Sequence, residues 1–310
     1  EPENVEPEVS EPENVEPDDS EPEDSSAPEN AAPDNADAPV ESKQCKDVPK
    51  HEGKADGLPV WVGHSERNGA QMLRDLVSST TGWVAGKIAT GNFCDEDGLI
   101  ICTTLWPNKV RGRAIGIDKV IPPANNRTFD TNAWMMIRNP LTEIPAVVNY
   151  WYQISNQNGR GDDKYTMQAP IEYWEEYRDK QFNDLISRWV GPLQQWKDLD
   201  KYDVSFYIPY EHFVDEVKGP LLFQEAIDRL QNAGHTFSPK SAADMKCLWR
   251  RNVDKSARSN PTHNLEYAQT FTKEQYETIL EKLHAVFKTL RDKRAKESIK
   301  SYIKAVEALV

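Results

Sequence analysis

The fold is decided by the stretch Trp134-Met-Met-Ile-Arg138-Asn-Pro140-Leu-Thr-Glu-Ile-Pro-Ala-Val-Val-Asn-Tyr-Trp151. Its four leading apolar residues predict a buried strand that ends at Ile137 and presents Arg138 at the carboxyl edge of a sheet. A helix is predicted to follow, because proline is tolerated in a first turn, where its missing N–H would have no partner. Open α/β sheets bind ligands at this edge, and an arginine there suits a phosphate.

A second strand, loop and helix are predicted upstream of this stretch. Leu58-Pro-Val-Trp-Val-Gly63 has the pattern of a short strand, residues 64–71 are polar, and an amphipathic helix is indicated from Met72 onward. In such a unit the N–H groups of the loop and of the helix N-terminus converge on an anion. Two segments are therefore expected to bring anion-binding groups to one sheet edge.

These segments resemble the nucleotide-binding segments of sulfotransferases that use 3′-phosphoadenosine 5′-phosphosulfate (PAPS), in particular the Golgi and WSC-domain-associated branch. In that family the first loop usually has the pattern Pro-Lys/Arg/Gly-Ser-Gly-Thr/Asn-Thr. Aligned on Gly69, this chain keeps Arg67, and the helix keeps Leu73 and Arg74. It departs at the proline, the serine and the two later polar positions, which hold Glu66, Asn68, Ala70 and Gln71.

The resemblance implies an α/β domain of the P-loop-like sulfotransferase fold, with a central, mostly parallel sheet flanked by helices. It also implies PAPS as cosubstrate. Arg138 matches the family's 3′-phosphate arginine, Ala146 stands where the family has a partner serine, and Arg251 lies in a late basic segment that resembles a loop over the 3′-phosphate. The implied contacts of the first loop are Arg67, Asn68, Gly69, Ala70, Gln71 and Met72.

Sulfuryl transfer also needs a cation at the leaving oxygen and a base for the acceptor hydroxyl. Arg67 is the candidate cation. Related enzymes often place Lys-Thr-His after the second strand, here predicted at residues 114–117, but no histidine follows Lys119 at the expected distance. Asp118 and His64 are therefore the two candidate bases.

Two functions stay open at this point. The first is an enzyme that moves sulfate from PAPS to a hydroxyl of a carbohydrate, protein or small molecule. The second is a non-catalytic descendant that keeps the fold as a binding or structural module. The retained Arg67, Gly69 and Arg138 favour the enzyme, whereas the missing loop hydroxyls, Ala146 and the absent histidine favour the module.

The chain has two compositional regimes. Residues 1–43 include two near-identical decapeptides, EPENVEPEVS and EPENVEPDDS, and hold sixteen acidic residues against one basic. A repeat rich in Pro and Glu without aromatics cannot bury enough surface to fold, so we predict a disordered acidic tail. Residues 44–310 are predicted to form the sulfotransferase-like domain, ending in a long C-terminal helix. This part holds 35 acidic and 36 basic residues, and near-neutrality argues against a nucleic-acid partner.

Three features favour the secretory pathway, either the Golgi lumen or the extracellular space. The acidic tail is stalk-like, Asn126-Arg-Thr128 is a glycosylation sequon, and the four cysteines lack zinc-site spacings while permitting two disulfides in three alternative pairings. The chain begins at Glu1 rather than Met, which leaves room for a signal peptide or membrane anchor upstream.

The remaining pattern predicts elements that would complete the domain. A strand is expected before Tyr210-Glu211, and Thr272 with Gln275 predicts a capping box at the start of the last helix. The other predicted elements are amphipathic helices in 169–197 and 221–233, a basic loop over 246–258, and an irregular segment with Thr-Gly at 90–91.

Overall fold

The computed structural model describes residues 45–87, 94, 97–104, 130–156, 168–197, 203–238, 240–259 and 270–310. The predictions for the tail, for residues 90–91 and 114–117, for Asp118 and for Asn126 lie outside these residues. The strands are β1 Val60–Gly63, β2 Val84–Lys87, β3 Leu99–Thr104, β4 Asn132–Ile137 and β5 Asp203–Pro209. The helices are α1 Ala70–Thr81, α2 Pro140–Asn156, α3 Ile171–Lys197, α4 Tyr210–Phe213, α5 Lys218–Asn232, α6 Ala242–Ser259, α7 Lys273–Thr289 and α8 Lys293–Glu307.

The strands form one parallel sheet in the order β2-β3-β1-β4-β5. β1 and β3 are buried along their whole lengths, as expected for a parallel sheet with helices on both faces. The predicted α/β class, with a central parallel sheet flanked by helices, is confirmed. β2 and β3 were not anticipated, although the apolar run at residues 99–102 is a signal for a buried strand.

Alternate residues of β4 contribute to two hydrophobic layers, one on each face of the sheet. Met135 and Ile137 pack with α2, α3, α7 and α8, whereas Trp134 and Met136 pack with α1, α5 and α6. Helices cover both faces of the sheet, so polar groups are expected in the loops at its carboxyl edge. β1, β4 and β5 end at this edge, and each is followed closely by a helix.

α2 begins at Pro140, as predicted, and Asn139 Oδ1 accepts from the Leu141 N–H at 3.0 Å and caps the first turn. Two other helices correct the sequence-based expectations. Residues 246–258 lie within helix α6 instead of a basic loop. The predicted long C-terminal helix is two helices, because Asp292 is extended and its side chain caps α8 through the Ala295 N–H at 2.8 Å.

The capping box predicted from Thr272 and Gln275 is confirmed. All four cysteines are paired, as Cys45–Cys247 and Cys94–Cys102. The first disulfide fixes the segment before β1 to α6, and the second joins Cys94 to β3. No helix in the described ranges is long and apolar enough to cross a bilayer.

Candidate functional site

The β1–α1 loop (residues 64–69) leaves the middle of the sheet and contains two residues in the left-handed region. Arg67 has φ 62° and Gly69 has φ 95°. A Cβ added at Gly69 would lie 2.7 Å from Cδ2 of Tyr210, the first residue after β5. Both the backbone conformation and this close approach therefore require glycine at position 69.

The first turn of α1 has no side-chain cap. Gly69 is the N-cap and offers no side chain to the turn, and the first helical bond is donated by the Leu73 N–H to the Gly69 carbonyl at 3.1 Å. The preceding N–H groups, of Ala70, Gln71 and Met72, have no acceptor within the helix and carry its partial positive charge. These predicted positions can thus contribute their backbone whatever their side chains are.

Arg138 is only 1 % exposed and contacts the β1–α1 loop directly. Its Nη1 donates to the Arg67 carbonyl at 2.7 Å, and its Nε donates to Thr142 Oγ1 at 3.2 Å. The guanidinium carbon lies 4.3 Å from the centre of the Tyr210 ring. Trp189 of α3 donates to the Arg138 carbonyl at 2.9 Å, so both the side chain and the backbone are held in place.

Asn68 and Arg67 fasten the rest of the loop to its neighbours. Asn68 is fully buried, and its Nδ2 donates to the Met136 carbonyl at 3.1 Å, which ties the loop to β4. Arg67 places its guanidinium carbon 4.6 Å from the centre of the Tyr150 ring on α2. The structure therefore gathers Arg67, Asn68, Gly69 and Arg138 at one sheet edge.

A hydrogen-bond network beside Arg138 joins α4 and α8 to this edge. The Asn139 N–H donates to Glu211 Oε1 at 2.8 Å, and the Tyr302 hydroxyl of α8 donates to Glu211 Oε2. Burial raises the pKa of Tyr302 well above its ordinary value, and Glu211 beside it acts in the same direction, so Tyr302 remains a donor at neutral pH. The sequence offered a signal for Glu211 alone, through the Tyr-Glu pair after a strand.

A hydrogen bond fixes the tautomer of His64 at the start of the loop. Its Nδ1 lies 2.7 Å from the Ser65 carbonyl oxygen, which can only accept, so Nδ1 carries the hydrogen. Burial lowers the pKa of His64 to about 4, and the positive charge of Arg74 acts in the same direction, while the Ser65 contact opposes them. A group with this pKa is a weak general base at neutral pH. Asp118, the other candidate base, lies outside the described residues.

We expect His64 to make the protein less stable in acid. The unfolded chain takes up a proton below about pH 6.5, whereas folded His64 resists protonation down to about pH 4, so stability falls as the pH decreases between these values. His64 alone should lower the free energy of unfolding by about 2 kcal/mol at pH 5 relative to pH 7. Urea unfolding at both pH values should show that His64→Gln removes this difference and that His284→Gln, on the exposed surface of α7, does not.

Two predicted cofactor-binding residues are not brought into this cluster as expected. Ala146 is buried in α2 and offers no hydroxyl to a phosphate. Arg251 donates to the Cys45 carbonyl at 2.9 Å and lies 3.4 Å from Ser79, near the far end of α1. Ser79 is about 15 Å along the helix from Gly69. The structure therefore does not bring Arg251 to the β1–α1 loop, and its helix is fixed to the N-terminal segment by the Cys45–Cys247 disulfide.

No protein-family model matches this chain, and neither does any curated protein. Among solved structures, it is similar to the mouse sulfotransferase SULT7A1 complexed with PAP, with a TM-score of 0.42 and 12 % sequence identity. The similarity covers 83 % of this chain and 91 % of the mouse chain.

Proposed function

We propose that the chain is a sulfotransferase-like protein that binds PAPS at the β1–α1 loop and transfers its sulfate to a hydroxyl-bearing acceptor. The observation that carries this proposal is the hydrogen bond of 2.7 Å from buried Arg138 to the Arg67 carbonyl. It places a guanidinium against the backbone of the loop that opens α1. Two phosphate-binding devices, an arginine and an uncapped helix N-terminus, thus meet at one sheet edge.

The described residues fit the charges of the nucleotide. The first-turn N–H groups of α1 suit the 5′-phosphosulfate, and Arg138 suits the 3′-phosphate. When bound, PAPS supplies an activated sulfuryl group. Arg67, with its partly exposed side chain, is the candidate to neutralise charge on the leaving oxygen. Asp118 and His64 remain the candidates for the base.

Specific observations also favour a second function, a nucleotide-binding protein without transfer activity. The pKa of about 4 makes His64 a weak base, and Ala146 lacks the hydroxyl that the family's serine would provide. An acceptor screen separates the two functions only after nucleotide binding is established. The acceptor classes to include are carbohydrates, proteins and small molecules, since acceptor pockets are built from variable loops.

We further propose that the protein works in the secretory pathway, in the Golgi lumen or outside the cell. Support comes from the two disulfides, which use all four cysteines of the chain. Such bonds persist in oxidising compartments and are rare in the cytosol. When the native protein is isolated with its free thiols blocked, it should therefore migrate as the oxidised form on a non-reducing gel.

The nucleotide site is tested by thermal unfolding with 3′-phosphoadenosine 5′-phosphate (PAP). Binding to the folded state at a hundredfold excess over Kd adds about 2.7 kcal/mol, which raises Tm by about 5–10 °C. We expect this shift in the wild type and its loss in Arg138→Ala. Arg251→Ala, which changes an arginine far from the loop, should keep the shift.

A variant that fails to fold cannot report on binding, so Arg138→Lys is measured beside Arg138→Ala. Lysine keeps the positive charge but loses the planar fork that contacts Arg67, Thr142 and Tyr210 together. We expect a folded variant with a much weaker shift. Absence of any shift in the wild type at millimolar PAP would refute the proposed nucleotide site.

A further inference from the structure

A small recess beside the β1–α1 loop is lined by two carboxyl groups, Glu66 from the loop and Glu143 from α2. Its volume of about 10 Å³ leaves room for about one water molecule. The remaining wall is formed mostly by apolar side chains of α2 and α3, together with one guanidinium. These residues are Ile144, Val147, Leu185, Arg188 and Trp189.

Each of these carboxyl groups has one oxygen that is buried without a hydrogen-bond partner among the described residues, although the Glu66 side chain as a whole is 25 % exposed. Glu143 is 2 % exposed, and the Ser65 hydroxyl donates to its carboxyl group. Within the part of the chain that is described, Oε2 of Glu143 and Oε2 of Glu66 are both buried without a hydrogen-bond partner. Burying an ionised carboxylate under these conditions is costly, whereas a protonated carboxyl can use its own O–H as a donor.

Charged groups from every neighbouring element face this pair. Arg67 and Arg138 approach from the loop and from the end of β4, while Arg188 and Asp184 approach from α3. Glu211 approaches from α4, although its oxygens are already engaged by the Asn139 N–H and the Tyr302 hydroxyl. The charged groups of this cluster are Arg67, Arg138, Arg188, Glu66, Glu143, Asp184 and Glu211.

Full ionisation would give this cluster one net negative charge, since three guanidinium groups face four carboxylates. Arg188 offsets Glu66 weakly, because it lies 3.4 Å from Glu66 Oε1 but donates to Asp184 at 2.7 Å. One proton on the pair brings the cluster to neutrality. Burial raises the pKa of Glu66, and it raises the pKa of Glu143 well above the ordinary value, while the nearby arginines oppose both shifts.

We propose that Glu66 and Glu143 together hold one proton beside the β1–α1 loop, and that an anion binds at the loop in this protonated state. The identity of that anion rests on the proposed function. Loss of the proton would add a negative charge next to the anion, so the two would repel each other. By reciprocity, the bound anion strengthens the hold of the pair on its proton.

The direction of the pH dependence follows from this coupling. Binding raises the pKa of the pair, so affinity is highest below the pKa of the free protein. Affinity then falls by up to tenfold per pH unit until the pH reaches the pKa of the complex. Repulsion by one like charge beside the loop predicts a total loss of about tenfold.

The test measures PAP affinity by titration calorimetry between about pH 5.5 and about pH 8.5, for the wild type, Glu143→Gln and Glu66→Gln. Glutamine keeps the shape of the carboxyl group but cannot ionise. The control is Glu281→Gln, the same change on the exposed surface of α7. The ratio of each variant's affinity to the wild-type value at the same pH cancels the ionisation of PAP itself.

We expect the wild type and Glu281→Gln to take up protons on binding and to lose affinity as the pH rises. Glu143→Gln should bind with an affinity that changes only as PAP ionises, and its enthalpy should depend on the buffer only through the protons that PAP itself exchanges. Glu66→Gln should show the same behaviour. It keeps the test possible if Glu143→Gln does not fold. A wild type and a folded Gln variant with the same pH profile would overturn the inference.

Carboxyl NMR of the free protein separates this inference from the nucleotide assignment. We expect one carboxyl titration well above the ordinary range, and we expect it to disappear in Glu143→Gln. Ordinary titration of both carboxyl groups below about pH 5 would refute the proton site. If this titration is present but PAP binds at no pH, the proton site stands, while both the nucleotide assignment and the coupling to that anion fail.

Discussion

Replacing Gly69 by Ala is expected to lower the free energy of unfolding by about 2–5 kcal/mol and to abolish anion binding at the loop. Two costs add. An L-residue with a Cβ in the left-handed region loses about 1–2 kcal/mol. The new methyl would also lie 2.7 Å from Tyr210 Cδ2 and 2.9 Å from Tyr210 Cε2, and forcing such a contact costs about 1–3 kcal/mol. The ring is confined on another side by the guanidinium of Arg138.

Gly53 provides a matched control for the backbone part of this cost. Its φ of 94° equals that of Gly69 within one degree, yet a Cβ at Gly53 would meet nothing within 4 Å. Gly53→Ala should therefore cost only about 1–2 kcal/mol, and the difference between the two variants measures the contact with Tyr210. Urea unfolding followed by tryptophan fluorescence gives both values. Equal losses would mean that Tyr210 moves aside without cost and that the loop is less confined than its contacts imply.

The sequence correctly predicts those elements around the candidate site that have local signals. β4 and the start of α2 follow from an apolar run that leads into Arg138 and Pro140, since burial and the first-turn tolerance of proline act over a few residues. The loop pattern likewise predicts a glycine at position 69. Only the structure shows that the Tyr210 ring leaves no room for a Cβ there.

The parts that could not be predicted depend on contacts between distant segments. Tyr302 reaches Glu211 across 91 positions, and no local pattern marks it. Glu143 looks like an ordinary acidic residue in a first helical turn, where the helix dipole favours it. Its burial is decided by packing against α3. Arg251 was placed by motif order, but a disulfide and the segment around Cys45 determine its position instead.

Removing the Cys45–Cys247 disulfide is expected to destabilise the protein far more than removing Cys94–Cys102. The paired residues are 202 positions apart in the first case and 8 in the second. If each bond acts mainly by restricting the unfolded chain, the losses are about 5 kcal/mol and about 2.5 kcal/mol. Each pair is changed to alanine at both positions, so that no unpaired thiol is left to exchange. Urea unfolding then compares the two variants with the wild type.

The two disulfides also differ in what they hold near the candidate site. Cys45–Cys247 fixes the segment around Cys45 to α6, and that segment reaches α1 through the Val48 N–H, which donates to the Ser79 carbonyl at 2.8 Å. Loss of this bond should therefore lower Tm, because it loosens the segment around Cys45 from α6 at the end of α1 that lies away from the loop. Equal losses of stability in the two variants would contradict the chain-entropy account. A larger loss for Cys94–Cys102 would instead indicate that its burial beside β3 matters more than the length of the loop it closes.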